Sequence, residues 1–432
     1  MKALRFICLA LALVQALSSC GGKHNASEDA ESPIKVSSPT PTVQIAKVVL
    51  SEAQQGYVAS GNGMSMRLLG ELYDGSNLVC SPLSLQYAVS MAANGASGET
   101  LREMLDWLGV DGLDALNAYN RLLLEQLPAV DLEVALKLTD ALLVSSDYPL
   151  LPSFSKTVSD NYYAAVENAD FSSPELIAAR INEWARRSTE GFIDNVIDPS
   201  EISPMAAAFL MNALYFKAKW AGRSPMFYEE STRYEDFGPE GSKPVKMAMM
   251  NTSGWFSYAE CSGFRVLALP YAGGKFYMYI VLPDSGNDLD IVLSTLQSLS
   301  WSSVIAGLKN DAEVYVKLPK FEIENKYDLG ETLQALGVRL AFSDAAEFPS
   351  MFERSDVDFF IGKVIQKARI GVAEWGTEAA AVTVVDIEAT SAGPDEQEPK
   401  KVYFYADHPF IFFIGESTSG TILFEGAFTG KK

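Results

Sequence analysis

From Ala207 to Trp220 the chain reads AAFLMNALYFKAKW, and only Asn212 interrupts the apolar side chains before Lys217. An unbroken run of this kind fits a strand buried on both faces, which requires other layers of the same chain on either side of it. With 432 residues, 48% of them hydrophobic, the chain has ample material for those layers. Length alone predicts two or three domains. Helical periodicity dominates the first half: GNGMSMRLLGELYDG, then SPLSLQYAVSMAANG opening on a Ser81 cap and Pro82, then SGETLREML with Ser97 and Thr100 as rival caps, and LIAARINEWARRSTEGF ending before Gly191. Strands fill the second half, including a hairpin FRVLALP–YAGGK–FYMYIVLP. Helices followed by strands give an α+β pattern. There is no internal repeat.

The formal net charge is −21 and no basic run is present, which argues against nucleic acid or anionic lipid as a docking partner. A positively charged protein remains compatible. The N-terminus, MKALRFICLALALVQALSSC, has Lys2 and Arg5 followed by an apolar run from Phe6 to Leu17, too short to span a bilayer. It reads as a secretory signal over residues 1–19. Its end, Leu17-Ser18-Ser19-Cys20, resembles a bacterial lipobox, which implies acylation of Cys20 and a lipid-anchored, exported protein of the cell envelope. Residues 20–52 are rich in Gly, Ser, Pro and charge and predict a flexible tether. Beyond Cys8 and Cys20 stand Cys80 and Cys261, both in apolar surroundings, which favours buried free thiols over a disulfide.

Catalytic chemistry is poorly represented. The two histidines are His24, in the tether, and His408, before a proline at the start of an apolar strand, where a hydrogen-bonded structural role is expected. A histidine-based zinc site has no second ligand in the folded part. No nucleophile elbow, Walker loop or dinucleotide-binding glycine motif is present. Neither a metal nor a cofactor is predicted, and no pair of carboxylates stands out.

One segment resists assignment as loop or strand: EWGTEAAAVTVVDIEATSAGPDEQEPKK, Glu374 to Lys401. Separated by alternation, Thr377, Ala379, Ala381, Thr383, Val385, Ile387 and Ala389 carry no charge, whereas the opposite parity holds Glu378, Asp386 and Glu388. Gly376 frees the backbone at the start, and Gly393-Pro394 breaks the pattern at the end. The segment is patterned as a strand and connected as a loop.

From Ala53 to Gly430 the chain resembles a serpin. NLVCSPLSLQYAVSMAANGASGETLREML is similar to the stretch that leads into that family's helix B, with Ser81 and Ser84 at its two shutter serines. LMNALYFKAKW resembles the central strand, with Asn212 at a shutter and Trp220 at a breach position. VIQKARIGVAEWGTEAAA resembles the hinge, Gly376 through Thr377, Glu378, Ala379, Ala380 and Ala381, and DHPFIFFIGESTSGTILFEGAF the C-terminal strand pair. The resemblance implies a single domain over 53–432 with three sheets and about nine helices. It also implies a bait loop that a serine or cysteine protease attacks, and that inserts into the main sheet once cut.

The family's loop count places the reactive bond at Thr390-Ser391. A small β-branched residue before the bond suits elastase-like or subtilisin-like pockets, and nearby acidic residues favour a cationic protease. A monomer is expected. The sequence departs from the family pattern at Gln366, where many members have a shutter histidine, at Trp375, where acidic residues are usual, and at Val382, which is bulkier than usual. Bulk there would slow insertion, and the alternative reading is a non-inhibitory binding or scaffold protein at the cell envelope.

Overall fold

The computed structural model describes residues 3–12 as backbone, and 33–203, 205–222, 226–239, 243–377 and 400–431. Among them are nine α-helices: α1 (Glu52–Leu72), α2 (Pro82–Ala93), α3 (Gly98–Leu108), α4 (Leu113–Gln126), α5 (Pro152–Tyr162), α6 (Pro174–Ser188), α7 (Leu289–Ser298), α8 (Trp301–Ala306) and α9 (Gly330–Ala335). Local chemistry explains their starts. Ser51 and Gln54 form a reciprocal capping box on α1, and the Ser81 hydroxyl accepts from the Ser84 N–H ahead of Pro82. Ser97, not Thr100, is the cap residue of α3; Thr100 is buried, and its hydroxyl accepts from the Glu347 N–H instead.

Three sheets accompany the helices, so the α+β expectation holds. Sheet A contains β1 (Ala3–Ala12), β3 (Ala135–Ser145), β4 (Ala165–Ala169), β5 (Ala206–Lys219), β12 (Phe321–Asp328), β13 (Val357–Ala373) and β14 (Gly376–Thr377). Sheet B contains β2 (Leu78–Cys80), β8 (Ser257–Glu260), β9 (Phe264–Pro270), β10 (Phe276–Pro283), β16 (Phe410–Glu416) and β17 (Ile422–Phe428). Sheet C runs β15 (Lys401–Tyr405), β11 (Glu313–Pro319), β7 (Val245–Gly254) and β6 (Arg233–Phe237), in that order. The predicted hairpin is the antiparallel β9–β10 pair.

Strand β5 is the central strand its composition demands. Ala206 to Phe216 are all buried, and both α2 and α6 pack on it. One continuous apolar core links Ile34 near the N-terminus to Phe428 near the C-terminus.

Between β5 and β13 lies a lane one strand wide. Two segments enter it. At one end β14 pairs antiparallel with both neighbours. Along the rest, β1 pairs parallel with both, with Leu11 opposite Asn212 on one side and Gln366 on the other.

The tether expectation needs correction for residues 33–50. Ile34 and Val48 are buried, the Lys35 N–H donates to Glu167 Oε1 at 2.7 Å, Arg187 donates to the Ile34 carbonyl at 3.0 Å, and the Ile45 N–H donates to the Ala129 carbonyl at 2.9 Å. The segment's average composition is polar, but two apolar side chains and a few backbone groups suffice to seat it on the body. Residues 20–32, with Cys20, lie outside the described residues.

Candidate functional site

The two ends of the lane are built differently. At the first, which resembles the breach, the chain leaves β13 at Ala373, turns through Glu374 and Trp375, and re-enters sheet A as β14. Ala373 pairs with Gly376 and Val372 with Thr377, while Lys219 and Ala218 of β5 face the same two residues from the other side. Gly376 sits at φ 142°, and a Cβ there would lie 2.1 Å from the Ala218 carbonyl oxygen, so only glycine allows this close passage. Thr377 is buried, its hydroxyl 2.5 Å from that of Tyr271. The Tyr271 ring stacks on Trp220 at 4.7 Å between centroids and 5° between planes. Trp220 in turn clamps the turn: its Nε1–H donates to the Ala373 carbonyl at 2.9 Å and its backbone N–H to that of Trp375 at 3.2 Å.

Glu374 is buried beneath this turn. Burial pushes its carboxyl up, but donation from Lys320 at 2.8 Å and from Thr232 at 2.9 Å outweighs that, and the net direction is down. The Trp375 indole donates to Glu229 Oε1 at 3.2 Å.

Eight residues back along β5, on the order of 26 Å away, lies the second station, the counterpart of the shutter. The Gln366 side chain reaches α2 and docks on Ser81 in both directions, accepting from its N–H and donating to its carbonyl, each at 3.0 Å. The Ser81 hydroxyl donates to the Leu423 carbonyl at 2.8 Å. Across the lane, Asn212 Nδ2 donates to Asp140 Oδ1 at 2.8 Å. Ser84 Oγ, Asn212 Oδ1 and Asp140 Oδ2 are buried with no hydrogen-bond partner among the described residues. Burial drives the Asp140 carboxyl up to about 7, with the Asn212 donor opposing. A second buried carboxyl, Glu425 on β17, accepts from Ser65 and from the Cys80 thiol, and burial pushes it up to about 8.

The structure thus brings Ser81, Ser84, Gln366 and Asn212 to one end of the Pro82 helix, and Trp220, Gly376 and Thr377 to the far end of the lane. Glu378, Ala379, Ala380, Ala381, Val382, Thr390 and Ser391 lie outside the described residues. Tyr271, Glu374 and Asp140 were not singled out by the sequence. Tyr271 reads as part of a hairpin turn, and Asp140 and Asn212 are 72 residues apart, so only their paired strands reveal them.

His408 is the structural histidine expected: Nδ1 lies 2.8 Å from Asp407 Oδ1 and Nε2 3.0 Å from the Pro283 carbonyl. Cys80 and Cys261 are free thiols, Cys80 fully buried but Cys261 only partly, which corrects the expectation of two buried thiols.

Comparison with known proteins agrees with this geometry. The family model described as Serpin (serine protease inhibitor) matches residues 59–430. An uncharacterized serpin-like protein of Thermococcus kodakarensis is 35% identical over 390 residues, covering 89% of this chain and 88% of that protein. The leukocyte elastase inhibitor of Bos taurus is 34% identical, covering 81% and 92%. Among solved structures, the native state of the thermophilic serpin tengpin superposes with a TM-score of 0.77 at 27% identity, over 91% of this chain and 97% of that one.

Proposed function

Because the chain belongs to the serpin family, we propose that it is an inhibitory member, a suicide substrate that traps serine proteases by inserting its cut loop into sheet A. The observation that carries this reading is the seated pair Gly376–Thr377. It lies antiparallel between β5 and β13 and sets the register for the loop residues beyond it. Each further residue of the loop would step one residue back along both neighbours. Thr383 would come between Asn212 and Gln366, and Ala389 would face Ala206, the first residue of β5. The bond Thr390-Ser391 would then stand just past the end of the lane. Loop and lane match in length.

Parity supports the same reading. Thr377 is buried, and the residues that share its alternation as far as Ala389 are uncharged. In this register the Thr383 hydroxyl would arrive next to the unpartnered oxygen of Asn212. In the unprocessed chain β1 occupies part of the lane, and removal of residues 1–19 would leave it to the loop.

The protease serine attacks the Thr390 carbonyl, the Ser391 amine leaves, and an acyl-enzyme forms. Insertion of about a dozen residues adds about a dozen ladder bonds at ~1 kcal/mol net each, with several kcal/mol more from burial of the uncharged face. That sum, on the order of 10 kcal/mol, is comparable with the ~5–15 kcal/mol that holds a protease together. Distortion of the protease before deacylation is therefore within reach.

Thr390 suits elastase-like or subtilisin-like enzymes, in keeping with a relative named as an elastase inhibitor. We place the protein, as a monomer, on a bacterial cell envelope through acylated Cys20. The test is a denaturing gel after mixing with elastase. A covalent band that survives SDS is expected; cleavage with no such band would replace inhibition with the scaffold reading.

A further inference from the structure

The seated N-terminal segment, residues 33–50, fixes where the chain leading to Cys20 leaves the body. Its first held residues are Ile34, buried and with its carbonyl accepting from Arg187 of α6 at 3.0 Å, and Lys35, whose N–H donates to Glu167 Oε1 on β4 at 2.7 Å. Glu167 also pairs with Arg180 of α6 at 2.9 Å, so a helix and a strand hold one exit point together. Sheet A gives the height of that point. Glu167 pairs with Leu143 and Leu143 with Phe209, three residues from the start of β5 and nine from Ala218. Ala218 faces Thr377 at the breach. The chain therefore departs on the order of 30 Å from the breach and about 10 Å from the opposite end of the sheet.

The same end would receive the cut loop. In the register set by Gly376–Thr377, Ala389 comes to face Ala206, so an enzyme acylated through the Thr390 carbonyl comes to rest beside the exit point. About thirteen residues separate Cys20 from Pro33, and a chain of that length reaches at most about 45 Å. A globular protease of about 230 residues is on the order of 45 Å across. Tether and cargo match in size. The protein surface at this end is unsuited to lying flat on lipid. Just beyond β3 and just before β13 it exposes Asp147, Glu353 and Asp356 against Arg354, which itself pairs with Asp356. An anionic leaflet repels such a surface, so the tether and not a docking patch holds the body.

We propose that the seated segment turns the β5 start of sheet A toward the membrane and the breach, where the bait loop leaves the sheet, away from it. A trapped protease is then carried into the space between the sheet and the bilayer; this rests on the inhibitory and lipid-anchored readings above. The attacking enzyme meets the loop on the open side of the molecule, and the trapped one faces lipid.

The experiment uses the acylated chain in phosphatidylcholine vesicles whose headgroups carry an energy acceptor. A donor dye is attached through Asp147→Cys, at the exit end of sheet A, or through Glu230→Cys, beside the breach, each in a Cys261→Ser background that leaves only the buried Cys80. Transfer should be several-fold stronger from position 147 than from position 230. The pair Ile34→Asp/Arg187→Ala should shrink that difference, because the chain is next held only at Ile45, whose N–H donates to the Ala129 carbonyl. A Gly/Ser insertion after Asn25, which touches no seated residue, should shrink it as well. When a donor-labelled elastase is trapped on the vesicles, its transfer should rise as the SDS-stable band accumulates. Equal transfer from the two positions, or stronger transfer from position 230, overturns the proposal. So does a difference that survives both the unseated and the lengthened variants, or an elastase signal that falls on trapping. The premises are read separately. If Cys20→Ser still binds vesicles, the anchor is elsewhere and the proposal falls with it; if no SDS-stable complex forms, inhibition fails and the delivery of the protease fails with it, while the two labels still decide the orientation.

Discussion

The two stations along the β5–β13 lane are made from the same strands but differ in how their polar groups are satisfied. At the breach, Trp220, Tyr271, Thr377, Glu374, Lys320 and Thr232 each have a partner, and Gly376 and Thr377 are already seated between β5 and β13. At the shutter, Ser84 Oγ, Asn212 Oδ1 and Asp140 Oδ2 are buried and have no partner among the described residues. A buried polar atom left without a partner costs about 1–3 kcal/mol. The sheet is thus settled at the end where the proposed insertion would begin and under-satisfied at the station it would have to pass.

The largest effect should come from destroying the settled end. Thr377→Arg places a cation where a buried hydroxyl meets Tyr271. Initial cleavage by elastase should proceed normally, because the bond lies far along the loop, but the SDS-stable band should drop by more than about tenfold as the protein becomes a substrate. A variant that still traps elastase at the parent level would show that the seated pair does not begin insertion.

The shutter makes a prediction about pH. The Asp140 carboxyl is raised in the folded protein to about 7, so the folded state holds a proton that the unfolded chain releases near pH ~4. Stability should therefore fall as pH rises from about 4 to about 7, and the cost should be fully present at about pH 8. Asp140→Asn keeps the shape, removes the titration and should raise the melting temperature at pH ~8, by an amount equivalent to a few kcal/mol, while changing little at pH ~4. Glu425, raised to about 8, adds a second decline that this variant retains. Equal shifts at both pH values would mean that Asp140 is ionised throughout, and the contrast between the two stations would weaken.

Much of this frame was legible in sequence because it depends on neighbours along the chain. The apolar run around Asn212 announced β5, and Ser81-Pro82 announced α2. What sequence missed depends on partners far apart. The Asp140–Asn212 pair exists only because β3 and β5 align. Glu425 meets Ser65 and Cys80 from three separate elements, and Tyr271 reaches Thr377 across 106 residues. Ile34 and Val48 were lost in the polar average of the segment around them, although their burial is what seats it.

The finest comparison is between Ser81 and Ser84. The Ser81 hydroxyl caps α2 and donates to Leu423, whereas the Ser84 hydroxyl has no partner among the described residues. Ser81→Ala should cost about 1–2 kcal/mol, read from urea unfolding, because a helix cap and a buried acceptor lose their partner together. Ser84→Ala should not destabilise the intact protein and should stabilise it by about 1 kcal/mol, since no bond is lost and a buried unpaired hydroxyl is removed. A second effect should emerge in the cleaved form, where the arriving Thr383 hydroxyl gives this cluster a donor. A smaller gain in melting temperature on cleavage than in the parent would place Ser84 in the inserted network. A cost for Ser84→Ala in the intact protein equal to that of Ser81→Ala would mean that both serines are already bonded there and that the shutter holds no unmet acceptors.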